Sequence, residues 1–197
     1  SALMAPYGAS TAFFGTNPLA LAVPRGKGRP ALIGDMATSQ VAYVTVKEHA
    51  AEGKPIPLGW GMDKHGMPTT DPNEVLDGGA MAPAGGYKGS LLALLVDVLA
   101  GGLAGPNFSF QASLFGNNEG GPCDVGQMFI ALAPETFTGI GAGPGAFAER
   151  LETMLSALGE DDGVRLPGNS RHAHREQAAS RGIAVPADLL ARLRSYT

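Results

Sequence analysis

The chain has a single cysteine, Cys123, in 197 residues. An internal disulfide is therefore excluded, and no oxidising compartment is required. Set in a glycine- and proline-rich stretch, this thiol reads as incidental rather than reactive. Charge is also sparse, at 16% of residues with a net charge of −4. That balance lacks the basic face a broad nucleic-acid surface needs, so no nucleic-acid partner is expected. A small anionic ligand needs only a few local cations and is not excluded. Long apolar runs are missing as well: the longest, residues 91–100, carries Asp97, whereas a membrane helix takes roughly 20 apolar residues. The opening Ser1-Ala2-Leu3-Met4-Ala5-Pro6 has no basic stretch before an apolar one. It reads as no signal peptide, with no membrane association and the cytoplasm as the expected compartment.

What the chain does have is glycine, 29 residues of it, with pairs at Gly78-Gly79, Gly85-Gly86, Gly101-Gly102 and Gly120-Gly121. Such pairs permit positive φ and close backbone approach, for a tight turn or for a ligand. Hydrophobic residues at 44% suit a globular fold of one domain, or one with a small appendage. Apolar residues 19–23 and 31–33 flank a Gly-containing turn and predict a hairpin. Ser39 is placed to cap a helix over residues 41–52 that Gly53 stops, although the β-branched Val41, Val44, Thr45 and Val46 oppose it. Residues 54–68 read as a long loop whose Trp60, Asp63 and His65 suit a lid or simple packing. Asp71 and Pro72 open a short helix. Residues 90–100 form the strongest helical stretch, apolar on nearly every side and so expected to be buried centrally. Residues 127–133 read as a buried strand. Phe147, Leu151, Met154 and Leu158 mark one helical face, and two further helices are expected near residues 172–181 and 186–196. The fold class is mixed α and β (α+β), a largely antiparallel or mixed sheet with a buried central helix and flanking helices.

Three segments could carry chemistry. Gly85-Gly86-Tyr87-Lys88-Gly89-Ser90 places glycines and a lysine at a helix N-terminus, where unpaired N–H groups and partial positive charge suit phosphate or carboxylate. On the residues alone it reads more readily as a glycine turn with a surface lysine. Asp35-Met36-Ala37-Thr38-Ser39 could meet a ribose, or be an ordinary strand-to-helix turn. Arg165-Leu166-Pro167-Gly168-Asn169-Ser170-Arg171, followed by His172, His174 and Arg175, is a local basic cluster in an acidic chain. It suits a nucleotide phosphate or a solvated helix face. His172 and His174 lie two apart, on different helix faces, so no metal site is expected.

Taken in order, these segments together with Gly15-Thr16-Asn17-Pro18-Leu19, Asp63-Lys64-His65-Gly66-Met67-Pro68-Thr69-Thr70-Asp71-Pro72 and Leu166-Pro167-Gly168 resemble the malate/L-lactate dehydrogenase family. That family lacks the common dinucleotide-binding fold. Gly105-Pro106-Asn107-Phe108-Ser109-Phe110 and residues 165–171 are most similar to its branch of Δ1-piperideine-2-carboxylate and Δ1-pyrroline-2-carboxylate reductases.

The resemblance implies a non-Rossmann nicotinamide-binding domain over residues 1–143 and a C-terminal helical segment over residues 144–197. It also implies hydride transfer to or from a 2-keto acid, a 2-hydroxy acid or a cyclic 2-imino acid. Asp35, Met36 and Ala37 match a strand end lining the cofactor. Tyr87 and Lys88 match a cofactor-contacting pair, with Tyr87 where the imine-reductase branch has histidine. Arg165, Leu166, Pro167, Gly168, Asn169, Ser170 and Arg171 match a loop that wraps the cofactor. Thr16 matches a substrate-contacting threonine, and Tyr43 stands where the branch has a histidine near the substrate. Thr45 stands where the branch has an aspartate supporting the proton donor. The family's proton-donating histidine and a substrate-binding arginine belong to its N-terminal segment. They are expected outside these residues, in that segment or a companion chain, and none of the four histidines matches. The implied partners are a small carboxylate substrate and a second copy in a homodimer. NADP is the expected cofactor, with NAD possible: residues 165–171 offer two arginines to a ribose phosphate, and Asp35 is the one matched carboxylate for ribose hydroxyls. The reading from a different class is a non-catalytic nucleotide-binding fragment that needs a partner chain.

Overall fold

The structure, a computed structural model, describes residues 1–115, 120–137, 143 and 145–196. Residue 144, where the helical segment is expected to begin, lies outside them. Short strands and helices are interspersed as far as residue 81, and the described elements after it are helical, in line with the mixed class expected. Two compact units emerge: residues 1–20 with 35–132, and residues 21–34 with 133–197. Strands β1 (Leu19–Val23) and β2 (Leu32–Met36) pair with each other, as the expected hairpin requires.

In the first unit, Met4 lies between Phe14 and Met81: its N–H donates to the Phe14 carbonyl at 2.8 Å, and it bridges Met81 on the other side. Around it pack Val46, Ile56, Val75 and Ala93, all buried. Helix α1 (Tyr43–Ala51) begins two residues later than the sequence suggests. Ser39 does not cap it; the hydroxyl donates to the Val41 carbonyl at 2.7 Å and closes a local turn. The β-branched residues are tolerated because Val46 is fully buried, so packing outweighs propensity. Gly53, at φ 63°, ends the helix as expected.

The stretch expected to be one long loop contains strand β3 (Gly61–Met62), antiparallel to β4 (Ala80–Met81) with Gly61 opposite Met81. Trp60 packs against the core, its ring 5.5 Å from that of His49, so it serves packing rather than a lid. The Asp63 carboxylate accepts from the N–H groups of Met67 and His65 at 2.9 and 2.8 Å, and Met67 above all holds its pKa below the usual carboxylate value. Helix α2 (Pro72–Leu76) is capped as expected by Asp71, whose carboxylate accepts from Asn73 N–H at 2.8 Å.

Helix α3 (Tyr87–Val96) runs on as a π-helical segment, Asp97–Leu103. Burial on all sides is not what forms. The inward stripe is Gly89, Ala93, Asp97 and Gly101, while Leu91, Leu94, Leu95 and Val98 are exposed. A strict four-residue repeat gains about 40° per step on an ordinary helix. The wider π turn absorbs that drift and keeps Gly101 on the stripe. Residues 127–133 also depart from expectation. They form no strand, and Phe129, Ile130 and Leu132 are exposed, because no described strand runs beside them to take up their backbone bonds.

The second unit is built on α4 (Ala146–Leu158), α5 (Asn169–Arg181) and α6 (Ala187–Arg194). The buried residues of α4 are Leu151 and Leu155, so the inward face is turned from the expected one and leaves Met154 and Leu158 exposed. The turn after β1 is tied to this helix. Arg25 donates two parallel hydrogen bonds to the Glu152 carboxylate, each 2.7 Å, and Arg29 joins them.

Candidate functional site

Three of the segments singled out in the sequence meet inside the first unit. The Thr16 carbonyl accepts from both the N–H and the hydroxyl of Thr38, at 2.8 and 3.0 Å. Thr38 directly follows Asp35, Met36 and Ala37, so this strand end is fixed beside Thr16. The Thr38 carbonyl in turn accepts from Ala84 N–H at 2.9 Å, at the start of the turn into α3. Gly89 is where that turn presses closest. A Cβ there would lie 2.2 Å from the Ala84 carbonyl oxygen and 2.9 Å from that of Thr38, so only glycine fits.

Gly85 and Gly86, at φ 62° and 65°, turn the chain so that α3 begins at Tyr87 without a side-chain cap. Its first-turn N–H groups carry the unmet donor capacity of any helix start. Nothing lies within 4 Å of a Cβ built on Gly85, so the backbone there is open to approach. Tyr87 and Lys88 are exposed beside it, and no carboxylate among the described residues forms an ion pair with Lys88. An open glycine backbone, first-turn donors and an exposed lysine fit an anionic group such as the phosphates of a nucleotide.

Thr16 also lines a cleft of about 360 Å³, with Gly15, Asn17, Val96, Asp97 and Ser109 among its walls. That volume lies within the range of small-molecule sites. Sequence reasoning missed the polar group in this wall. Asn17 donates to the Ala93 carbonyl at 2.8 Å and to Asp97 at 3.3 Å, and Ser109 Oγ lies 2.6 Å from Asp97 and 2.9 Å from Asn17 Oδ1. The available signal was a carboxylate inside an apolar run, since a buried acid must find donors.

The other expected site residues are placed as follows. Tyr43 opens α1 and packs half-buried against the core, with the Lys47 ammonium 6.0 Å from its ring centroid. Asp35 and Met36 are exposed and Ala37 is half-buried. Residues 165–171 lie in the second unit. Arg165 and Pro167 are exposed and Leu166 half-buried; the Pro167 carbonyl accepts from Ile33 N–H at 3.4 Å. Gly168, at φ 91°, precedes α5, and Asn169, Ser170 and Arg171 form the first turn of that helix rather than a loop. His172 behind them bonds the Ala31 carbonyl at 3.1 Å. Among the described residues no three His, Cys, Asp or Glu side chains are grouped to hold a metal ion, and no helix is long and apolar enough to cross a membrane.

The chain is 40% identical over 193 residues to a (2R)-3-sulfolactate dehydrogenase (NADP(+)) of Chromohalobacter salexigens, covering 98% of this chain and 55% of the relative. It is 40% identical over 188 residues to a Δ1-pyrroline-2-carboxylate/Δ1-piperideine-2-carboxylate reductase of Pseudomonas syringae pv. tomato, covering 95% of this chain and 53% of that protein. The crystal structure of the Δ1-piperideine-2-carboxylate reductase from Pseudomonas syringae superposes with a TM-score of 0.89 at 37% identity, over 100% of this chain and 57% of that one. A sulfolactate dehydrogenase from Methanocaldococcus jannaschii gives 0.83 at 29% identity, over 99% and 55%. The chain thus spans about half the length of the curated relatives it matches. The model of the family described as malate/L-lactate dehydrogenase matches residues 1–194, and the chain belongs to that family.

Proposed function

We propose that this chain is the nicotinamide-binding portion of an oxidoreductase acting on a small carboxylate whose neighbouring carbon carries C=O or C=N in one direction, and CH–OH or CH–NH in the other. The observation that carries the reading is the junction inside the first unit: Thr38 and Gly89 bring Thr16, the strand end at Asp35, Met36 and Ala37, and the start of α3 with Lys88 into one place. The nicotinamide, when bound, supplies the hydride. This chain's own residues bind and orient. Lys88 and the first-turn N–H groups of α3 meet phosphate, Tyr87 and the strand end flank the cofactor, and Thr16 and Tyr43 face the substrate. Residues 165–171 belong to the cofactor's binding set in the same proposal, as do the cofactor domain at residues 1–143 and the helical segment at residues 144–197. The proton donor comes from outside these residues, from an N-terminal segment or a companion chain.

Cyclic 2-imino acids are the favoured substrate class, since several relatives are named Δ1-pyrroline-2-carboxylate reductases. NADPH is the favoured cofactor. One relative's name specifies NADP(+), and Arg165 and Arg171 suit a ribose phosphate through paired hydrogen bonds. A homodimer working in the cytoplasm completes the proposal.

The test is a titration of NADPH and NADH into the protein, followed by a panel of cyclic imino, 2-keto and sulfonated substrates. Tight NADPH binding is expected from the chain alone, and imine reduction once the segment that carries the proton donor is supplied. Cofactor binding without turnover, even with a companion segment present, would favour a non-catalytic nucleotide-binding chain. No binding of either cofactor would end the proposal.

A further inference from the structure

We infer that Asn17, Asp97 and Ser109 form a positioning network that holds Thr16 in place against its substrate, an inference that rests on the role proposed above for Thr16. Asn17 follows Thr16 and sits at φ 37°, one of two non-glycine residues with positive φ among those described. Asparagine tolerates that region better than most residues but does not seek it unaided. Its side chain supplies the hold. Both ends are engaged, Nδ2 on the Ala93 carbonyl at 2.8 Å and on Asp97 at 3.3 Å, Oδ1 facing Ser109 Oγ at 2.9 Å. Asp97 also faces Ser109 through its N–H at 3.3 Å and its hydroxyl at 2.6 Å. Thr16 is therefore clamped on two sides, by Thr38 on its own carbonyl and by the three-residue network on its neighbour.

All three side chains are more than nine-tenths buried, with exposures of 8%, 8% and 7%. The bonds to Asp97 come from neutral amide and hydroxyl groups, without a lysine or arginine among the described partners. Burying a carboxylate among neutral donors is a costly way to fill a wall that an apolar side chain could fill. Its position explains it. Asp97 is the first residue of the π-helical segment, and π turns concentrate at functional sites. The same three residues, with Thr16, line the cleft of the first unit.

The test uses Asp97→Asn, Ser109→Ala and Asn17→Gly, each alone and combined with Thr16→Ala. Glycine accepts φ 37° without strain, so Asn17→Gly removes the hold but not the backbone's ability to adopt the conformation. For a positioning network, KM for the carboxylate substrate rises about tenfold while cofactor Kd stays within about twofold. Thr16→Ala then adds little to any of the three, because coupled residues are not additive. Exchange of the Thr38 N–H, which donates to the Thr16 carbonyl, quickens about tenfold in each variant, with exchange in α1 unchanged. A merely structural role predicts a general loss: lower Tm, faster exchange across the unit, and additive effects with Thr16→Ala. That outcome, or unchanged exchange at Thr38, overturns the network. If the wild type turns over no substrate even with the proton-donating segment supplied, the proposed reaction fails, and the exchange measurement still decides the network. If Asp97→Asn does not fold, Ser109→Ala and Asn17→Gly carry the same comparison.

Discussion

Gly89 and Lys88 are adjacent, yet substituting them should have opposite consequences. A methyl on Gly89 meets the Ala84 and Thr38 carbonyls at distances no real Cβ adopts, so Gly89→Ala must push α3 away from the strand end. Overpacking of this kind costs about 1–3 kcal/mol, and Gly89→Ala should lower Tm visibly by calorimetry. Lys88 is exposed in the first turn of α3, so Lys88→Met should leave the melt within about 0.5 kcal/mol of wild type. On the proposed reading it should weaken NADPH binding by roughly 1.5–3 kcal/mol, the worth of a charge-assisted hydrogen bond. An unchanged titration with a lowered Tm would make Lys88 a structural residue of the turn. The sequence shows the glycine cluster plainly, but not which glycine turns the chain and which admits a neighbouring backbone. That distinction depends on Thr38, 51 positions away by number, and appears only when the two segments touch. Asp97 stayed hidden for a related reason. Its partners Asn17 and Ser109 lie 80 and 12 residues away, and nothing local announces them.

At the scale of elements, helices with local signals were legible and apolar runs were not. Asp71 before Pro72 announces α2, and Gly53 ends α1 as read. The spacing in α4 gives the helix but turns its inward face, since an apolar period cannot tell a residue facing the unit from one facing away. Leu151→Ala should therefore cost about 2–5 kcal/mol in urea unfolding, and Leu158→Ala less than about 1. Equal losses would restore the face read from the sequence. The hold between Arg25 and Glu152 gives this unit a pH signature. The Arg25 side chain, and Arg29 after it, holds the Glu152 carboxyl below its usual pKa, so the unfolded chain binds that proton more readily than the folded one. The resulting stability is complete above the ordinary carboxylate range and is lost as pH falls through the lowered folded value. The Tm gap between wild type and Glu152→Gln should be widest near neutrality and close on acidification. A gap that widens in acid would contradict the linkage.

Across the whole molecule, the apolar residues left outside carry the clearest consequence. Leu91, Leu94, Leu95 and Val98 are exposed on α3 and the start of the π segment, in a chain that spans about half the length of its relatives. A helix this apolar on its outer side should bind a hydrophobic dye and drive concentration-dependent association, measurable by sedimentation. Leu94→Glu with Val98→Glu should suppress both while leaving helix content unchanged. A wild-type chain that stays monomeric and dye-free at high concentration would refute this.

The second unit is assembled from residues 21–34 and residues 133–197, with the whole of residues 35–132 made in between. Arg25 leaves the ribosome 127 residues before Glu152 does. At ordinary synthesis rates that is a wait of roughly 6–25 seconds, long against the folding of a small domain. During this interval Arg25 and Arg29 wait without Glu152, their partner in the folded unit. Residues 133–197 must come back to a piece that has been exposed for that whole interval. A transcript cut short before residue 152 would therefore lose more than its tail, because the early turn would never receive its anchor.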